Sequence, residues 1–96
     1  MGELLTQNDV QVVDLQLHMT VKSLSIIQGE INCKLRELVK KTELMAEKEE
    51  RRENSAFLLE LILDDLNELT ELFKQRKNLH NQIEKLKFNL GKINKT

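Results

Sequence analysis

The chain has 96 residues, with 15 Lys and Arg against 16 Asp and Glu, no Pro, Trp or Tyr, three Phe and one Cys. That length holds one folding unit rather than two independent cores. Three aromatics make a poor globular core, and 32% charged beside 40% hydrophobic residues without proline fits striped helices better than strands and turns.

A net charge of −1 gives no whole-chain attraction to nucleic acid or to an anionic membrane. Cys33 alone closes no intrachain disulfide, and the first 30 residues lack a basic start followed by an apolar run. An intracellular setting, cytoplasmic or nuclear, is therefore expected. The longest near-apolar segment, Ala56 to Leu63, is interrupted by Glu60 and falls far short of the roughly 20 residues of a spanning helix.

Residues 1–8 read as a flexible N-terminus. Met1-Gly2-Glu3-Leu4-Leu5-Thr6 matches the short pattern for N-myristoylation, although the acid directly after Gly2 weakens it, and a membrane role is expected only with that lipid. Asn8 with Gln11 then forms a capping box that opens a helix over about 9–46.

Steps of seven from Val10 meet Leu17, Leu24, Ile31, Leu38 and Met45, flanked by Val13, Val21, Ile27 and Leu35. The column keeps phase through Gly29, which reads as a close approach or mild bend rather than a helix end. Residues 13–21 also alternate with the period of a half-buried strand. Nothing else in the chain alternates comparably or supplies a hairpin turn, so helix is the reading. Val12, Leu15, Met19 and Ile26 make a second stripe opposite the first, and two apolar faces need two packing partners.

Glu47 to Ser55 is an unbroken polar run in which Asn54 and Ser55 suit a new helix start. A turn there makes a helical hairpin. The alternative is one continuous coiled-coil rod, because Leu59, Leu66 and Phe73 continue the Val10 column and Glu, Lys and Arg are strong helix formers. The rod would measure ~130 Å and the hairpin ~60 Å.

The second helix is expected over about 55–93. Leu58, Leu72, Leu79, Leu86 and Ile93 form one seam column and Ile62, Leu69, Ile83 and Leu90 the other; Asp65 and Arg76 are the polar exceptions. Residues 53–73 hold six acids and no base, while residues 74–96 hold seven bases and only Glu84. This segregation favours antiparallel pairing with a second copy about residues 70 and 71, which would set Asp65 against Arg76. A turn near residue 50 has its own complementarity, since it brings Lys34, Arg36, Lys40 and Lys41 beside the acidic 60–71 block. The two arrangements are compatible in a four-helix bundle, and other coiled-coil subunits could replace the second copy.

No catalytic, cofactor or metal role is assigned. Asp14 and His18 share a helix face at i, i+4 with no second His or Cys near in sequence, Cys33 reads as a small packing residue, and His80 as an exposed or interface histidine. The basic residues from Lys74 to Lys95 are interleaved with seam leucines rather than grouped as a phosphate track. In general style the chain resembles the small coiled-coil subunits of intracellular complexes, a resemblance of architecture that names no family. The expected function is a non-enzymatic structural or interaction subunit of a homo- or hetero-oligomer, a scaffold or adaptor. The alternative is a small dimeric helical nucleic-acid-binding regulator using the basic 74–96 region.

Overall fold

The computed structural model describes residues 7–94, with side chains described from Val10 to Lys92. The pattern at Gly2, the side chain of Ile93 and Lys95 lie outside that range. The chain forms two helices, α1 over Gln7–Glu50 and α2 over Ala56–Asn94, joined by residues 51–55. They fold back on one another as an all-α antiparallel hairpin 74 Å long and 18 by 16 Å across. The hairpin, and not the continuous rod, is the architecture.

Residues 13–21 lie inside α1. An alternating segment without a second strand leaves its backbone groups unpaired, whereas a helix satisfies them internally. The ends of α1 differ from expectation. It starts at Gln7, so Asn8 lies within the helix rather than at its cap, and it continues to Glu50. The charged run sustains the helix because Glu and Lys are strong helix formers, and half-buried Lys48 still faces the partner helix.

The turn is a Schellman closure followed directly by a cap. The Arg52 N–H donates to the Glu49 carbonyl at 3.1 Å and the Glu53 N–H to the Lys48 carbonyl at 2.9 Å. This pattern requires a left-handed residue after the helix, and Arg52, at φ 57°, supplies it without glycine's freedom. The Asn54 side-chain oxygen then accepts the Ala56 N–H at 3.0 Å, as its sequence position led us to expect. Ser55 donates its hydroxyl proton to Glu49, which ties the start of α2 to the end of α1.

Gly29 does not serve a close approach. A methyl group placed there meets no atom within 4 Å, and the residue is exposed. Its apolar column holds phase because a helix tolerates one glycine at a cost of about 1 kcal/mol. Gly29→Ala should therefore stabilise the hairpin by about 1 kcal/mol in urea denaturation without changing its helicity. Arg52→Gly should add about 0.5–1 kcal/mol by the same measurement, since glycine adopts the left-handed conformation freely.

Candidate interaction surfaces

The seam between the helices follows a heptad rule on both sides. On α1 the Val10, Leu17, Leu24, Ile31, Leu38, Met45 column is joined by a second one, Val13, Thr20, Ile27, Lys34, Lys41 and Lys48, all half-buried or buried. On α2 the seam runs through Leu58, Ile62, Asp65, Leu69, Leu72, Arg76, Leu79, Ile83, Leu86 and Leu90. Ile31, Leu58, Ile62, Leu69 and Ile83 are its buried apolar members. Every interface position expected from sequence thus faces the partner helix of the same chain. The seam that antiparallel pairing would give to a second copy is filled by α1.

Polar groups inside the seam are matched. Lys41 Nζ donates to Asp65 Oδ2 at 2.6 Å, and Lys34 Nζ lies 3.6 Å from Asp65 Oδ1 and 2.6 Å from Glu68 Oε2. Asp65 therefore meets lysines of α1 rather than Arg76. Arg76 Nη1 instead donates to Gln28 Oε1 at 3.0 Å, and its guanidinium sits 4.9 Å from the centre of the Phe73 ring. The Thr20 hydroxyl donates back to the Gln16 carbonyl. Among the described residues no buried side-chain nitrogen or oxygen lacks a partner. Of the bases expected to face the acidic block, Lys34 and Lys41 do so, while Arg36 and Lys40 are exposed.

These contacts fix the register. Asp65 is held by Lys34 and Lys41, so it sits level with Leu38 midway between them, and Arg76 sits level with Gln28. Both imply that residues level across the seam have numbers summing to about 103.

The hydrogen bond from Lys41 holds the Asp65 carboxyl below its ordinary value against the opposing effect of burial, with both lysine charges adding to the shift. The bond to Glu68 raises Lys34 above the ordinary lysine range; burial opposes it and Glu37 assists. The folded state binds the Asp65 proton less tightly than the unfolded chain does. The stability it contributes is complete above the ordinary carboxylate pKa and is lost as pH falls through the lowered one. The Lys34 contribution has the opposite sign: it is complete below the ordinary lysine pKa and is lost in alkali.

Outside the seam, the hairpin leaves much apolar surface bare. Among the described residues fourteen large apolar side chains are exposed, against five apolar residues that are buried, and all three phenylalanines are in the exposed group. The stripe of Val12, Leu15, Met19 and Ile26 is fully outward, and Cys33 is exposed rather than packed. The chain exposes 7757 Å². A compact monomer of this mass would expose about 5,700 Å².

The hairpin has two distinct flanks. On one, Glu30, Cys33 and Glu37 of α1 and Glu68 and Glu71 of α2 line a cleft of about 560 Å³, with Lys34 among its lining residues. On the other, Val21, Gln28 and Asn32 of α1 share a depression with exposed His80 of α2. His18 Nε2 lies 3.5 Å from Asp14 Oδ2 on open surface. In the basic half of α2, Lys74 pairs with Glu71 at 3.4 Å and Lys92 lies 4.7 Å from the centre of the Phe88 ring. Among the described residues no helix is long and apolar enough to cross a membrane, and no group of three or more His, Cys, Asp or Glu is placed to hold a metal ion.

No known protein family, characterised protein or solved structure matches the chain. The class that the geometry defines is a two-helix antiparallel coiled-coil hairpin with an ion cluster in its seam.

The second α1 column is the feature that sequence reading missed. Its lysines carry no apolar signal, yet their spacing at 34, 41 and 48 is itself a heptad.

The two ends of the ion cluster should respond differently to removal. The Asp65 side chain is 6% exposed, whereas Lys34 and Lys41 are 21% and 29% exposed and can extend to water. Lys41→Met should cost about 1–2 kcal/mol at pH 7, since it removes the closest partner of a covered carboxylate, and Asp65→Leu should cost less. The Lys41→Met penalty should shrink below the ordinary carboxylate pKa as Asp65 is protonated. Urea midpoints of both variants at pH 7 and pH 3 check the order and its pH dependence.

Proposed function

We propose that this chain is a non-enzymatic assembly subunit, a scaffold or adaptor that works by packing its outward apolar faces against other helices. The observation that carries this reading is the surplus of exposed apolar side chains after the seam has closed. Its phenylalanines are the clearest case. Phe57 is 73% exposed and Phe88 62% exposed, although a buried phenylalanine contributes up to about 3 kcal/mol by leaving water. Large apolar side chains exposed on a protein surface in such numbers mark interaction sites.

Two further features favour assembly over catalysis. The seam is filled by side chains, and the clefts lie along the outside of a narrow ribbon that gives reacting groups little enclosure. The basic half of α2 includes Arg76, Lys74 and Lys92, which are engaged with Gln28, Glu71 and the phenylalanine rings. Those contacts favour a protein-facing surface over a free phosphate track.

Gel filtration combined with velocity sedimentation of extracts from the native cells, with the chain detected by antibody, tests the proposal, since together they give mass independently of the ribbon's elongated shape. The expected mass is no less than twice the 11.2 kDa chain mass. A mass of 11.2 kDa would refute it.

A further inference from the structure

The flank that carries His80 differs in charge from the rest of the molecule. Depression-lining Gln28 and Asn32 place two neighbouring heptad columns of α1 on this side, and His80 places its own α2 column there with the adjacent Leu63 column beside it. Between the turn and the level of Phe73 these columns hold positions 28, 32, 35, 39, 42 and 46 on α1 and 56, 59, 63, 66, 70 and 73 on α2. None of these twelve is charged. A surface that size ordinarily carries about three or four charges. All are exposed except half-buried Gln28. The opposite flank has Glu30, Glu37, Glu68 and Glu71 at comparable levels. A charge-free strip on a highly charged ribbon has the composition of an interface core.

The large apolar members of the strip are Leu35, Val39, Leu59, Leu63, Leu66 and Phe73. The register set by Asp65 and Arg76 places them along the ribbon: Leu66 lies level with residue 37 of α1, Leu59 with residue 44 and Phe73 with residue 30. Leu59 and Phe73 are therefore equidistant from Leu66, and Leu35 and Val39 straddle the same level. Apart from Leu63, whose mirror position is the seam residue Leu69, these side chains are placed symmetrically about a line through Leu66. The two ends of the strip also differ in charge, with Lys77 beyond Phe73 and Glu49 at the turn.

On the reading that the chain works by assembly, we propose that the uncharged flank docks a second copy of this chain in reverse orientation. The two hairpins are related by a two-fold axis that crosses the ribbon at Leu66, and together they form a four-helix bundle. Each helix then lies on its own counterpart. Leu66 meets Leu66 of the other copy, Leu59 meets Phe73, and Leu35 meets Val39. The reversal brings the Lys77 end of one strip to the Glu49 end of the other. A same-direction pair would place α1 over α2, setting Phe73 against the polar level of Gln28 and Asn32 and bringing like-charged ends together.

Oxidative cross-linking in a Cys33→Ser background distinguishes the arrangements. Leu66→Cys should link to itself at near-stoichiometric yield. Leu59→Cys and Phe73→Cys should link when mixed, and neither should link alone. Sedimentation of the full chain at micromolar concentration should give about 22 kDa, twice the chain mass. Leu66→Glu should raise the dissociation constant at least about 100-fold, since it opposes two charges on the axis. Circular dichroism should show its helicity retained, and Met19→Glu on the outer stripe should remain dimeric.

A wild-type monomer at 100 µM, a dimer that survives Leu66→Glu, or self-linking of Leu59→Cys alone would each overturn the proposal. If the purified chain is monomeric but its native form elutes at high mass, a different protein covers the strip and the assembly reading stands. If both are monomeric, both readings fall.

Discussion

A carboxylate shut inside a seam only two helices wide must be met by cations, and that requirement organises this molecule. Asp65 interrupts an otherwise apolar column of α2, and the α1 turns opposite it present Lys41 and Lys34 at heptad spacing. Sliding α2 by a heptad away from the turn would set the carboxylate between Ile27 and Lys34 and leave Lys41 without its partner, at a cost of several kcal/mol. Apolar layers alone discriminate poorly between such shifts, since leucine packs on isoleucine in many registers. Hence the ion cluster sets how the ribbon is aligned, and the alignment sets which outer side chains share a level. Water lies just beyond one layer of side chains on either flank, which moderates the cluster's contribution to stability and leaves its selectivity intact.

Much of the hairpin was legible from periodicity. The Val10 column and the two α2 columns carry the 3.5-residue repeat of a packed stripe, and Asn54 marks the start of α2. The second α1 column was not legible, because three of its members are lysines and hydrophobic periodicity is blind to a charged residue that belongs in a core. The end of α1 lies past its expected place at 46 for a related reason: the apolar signal stops at Met45, while the polar residues up to Glu50 favour helix as strongly as those before them. Gly29 illustrates a third limit, since whether a glycine answers a steric demand depends on neighbours that sequence does not display.

Assigning Asp65 to a partner was a question of who comes first. The charge blocks of α2 suit an antiparallel mate, and both α1 and another α2 can provide one. Within a chain the nearer candidate is tethered, and it also offers two cations to one carboxylate where a second α2 would offer a single arginine. Closing the hairpin consumes the expected seam and transfers the question of partners to the outer faces. There the sequence had already placed Val12, Leu15, Met19 and Ile26 opposite the first column, and the structure leaves them outward.

The short connection through residues 51–55 has a kinetic meaning. It presents α2 to α1 at an effective concentration on the order of millimolar or higher, so closure of the ribbon is unimolecular and indifferent to how much protein a cell makes. The proposed contacts through the outer faces would have no such tether and would obey mass action. Closure of the ribbon is thus independent of abundance, whereas the proposed association would be tuned by it.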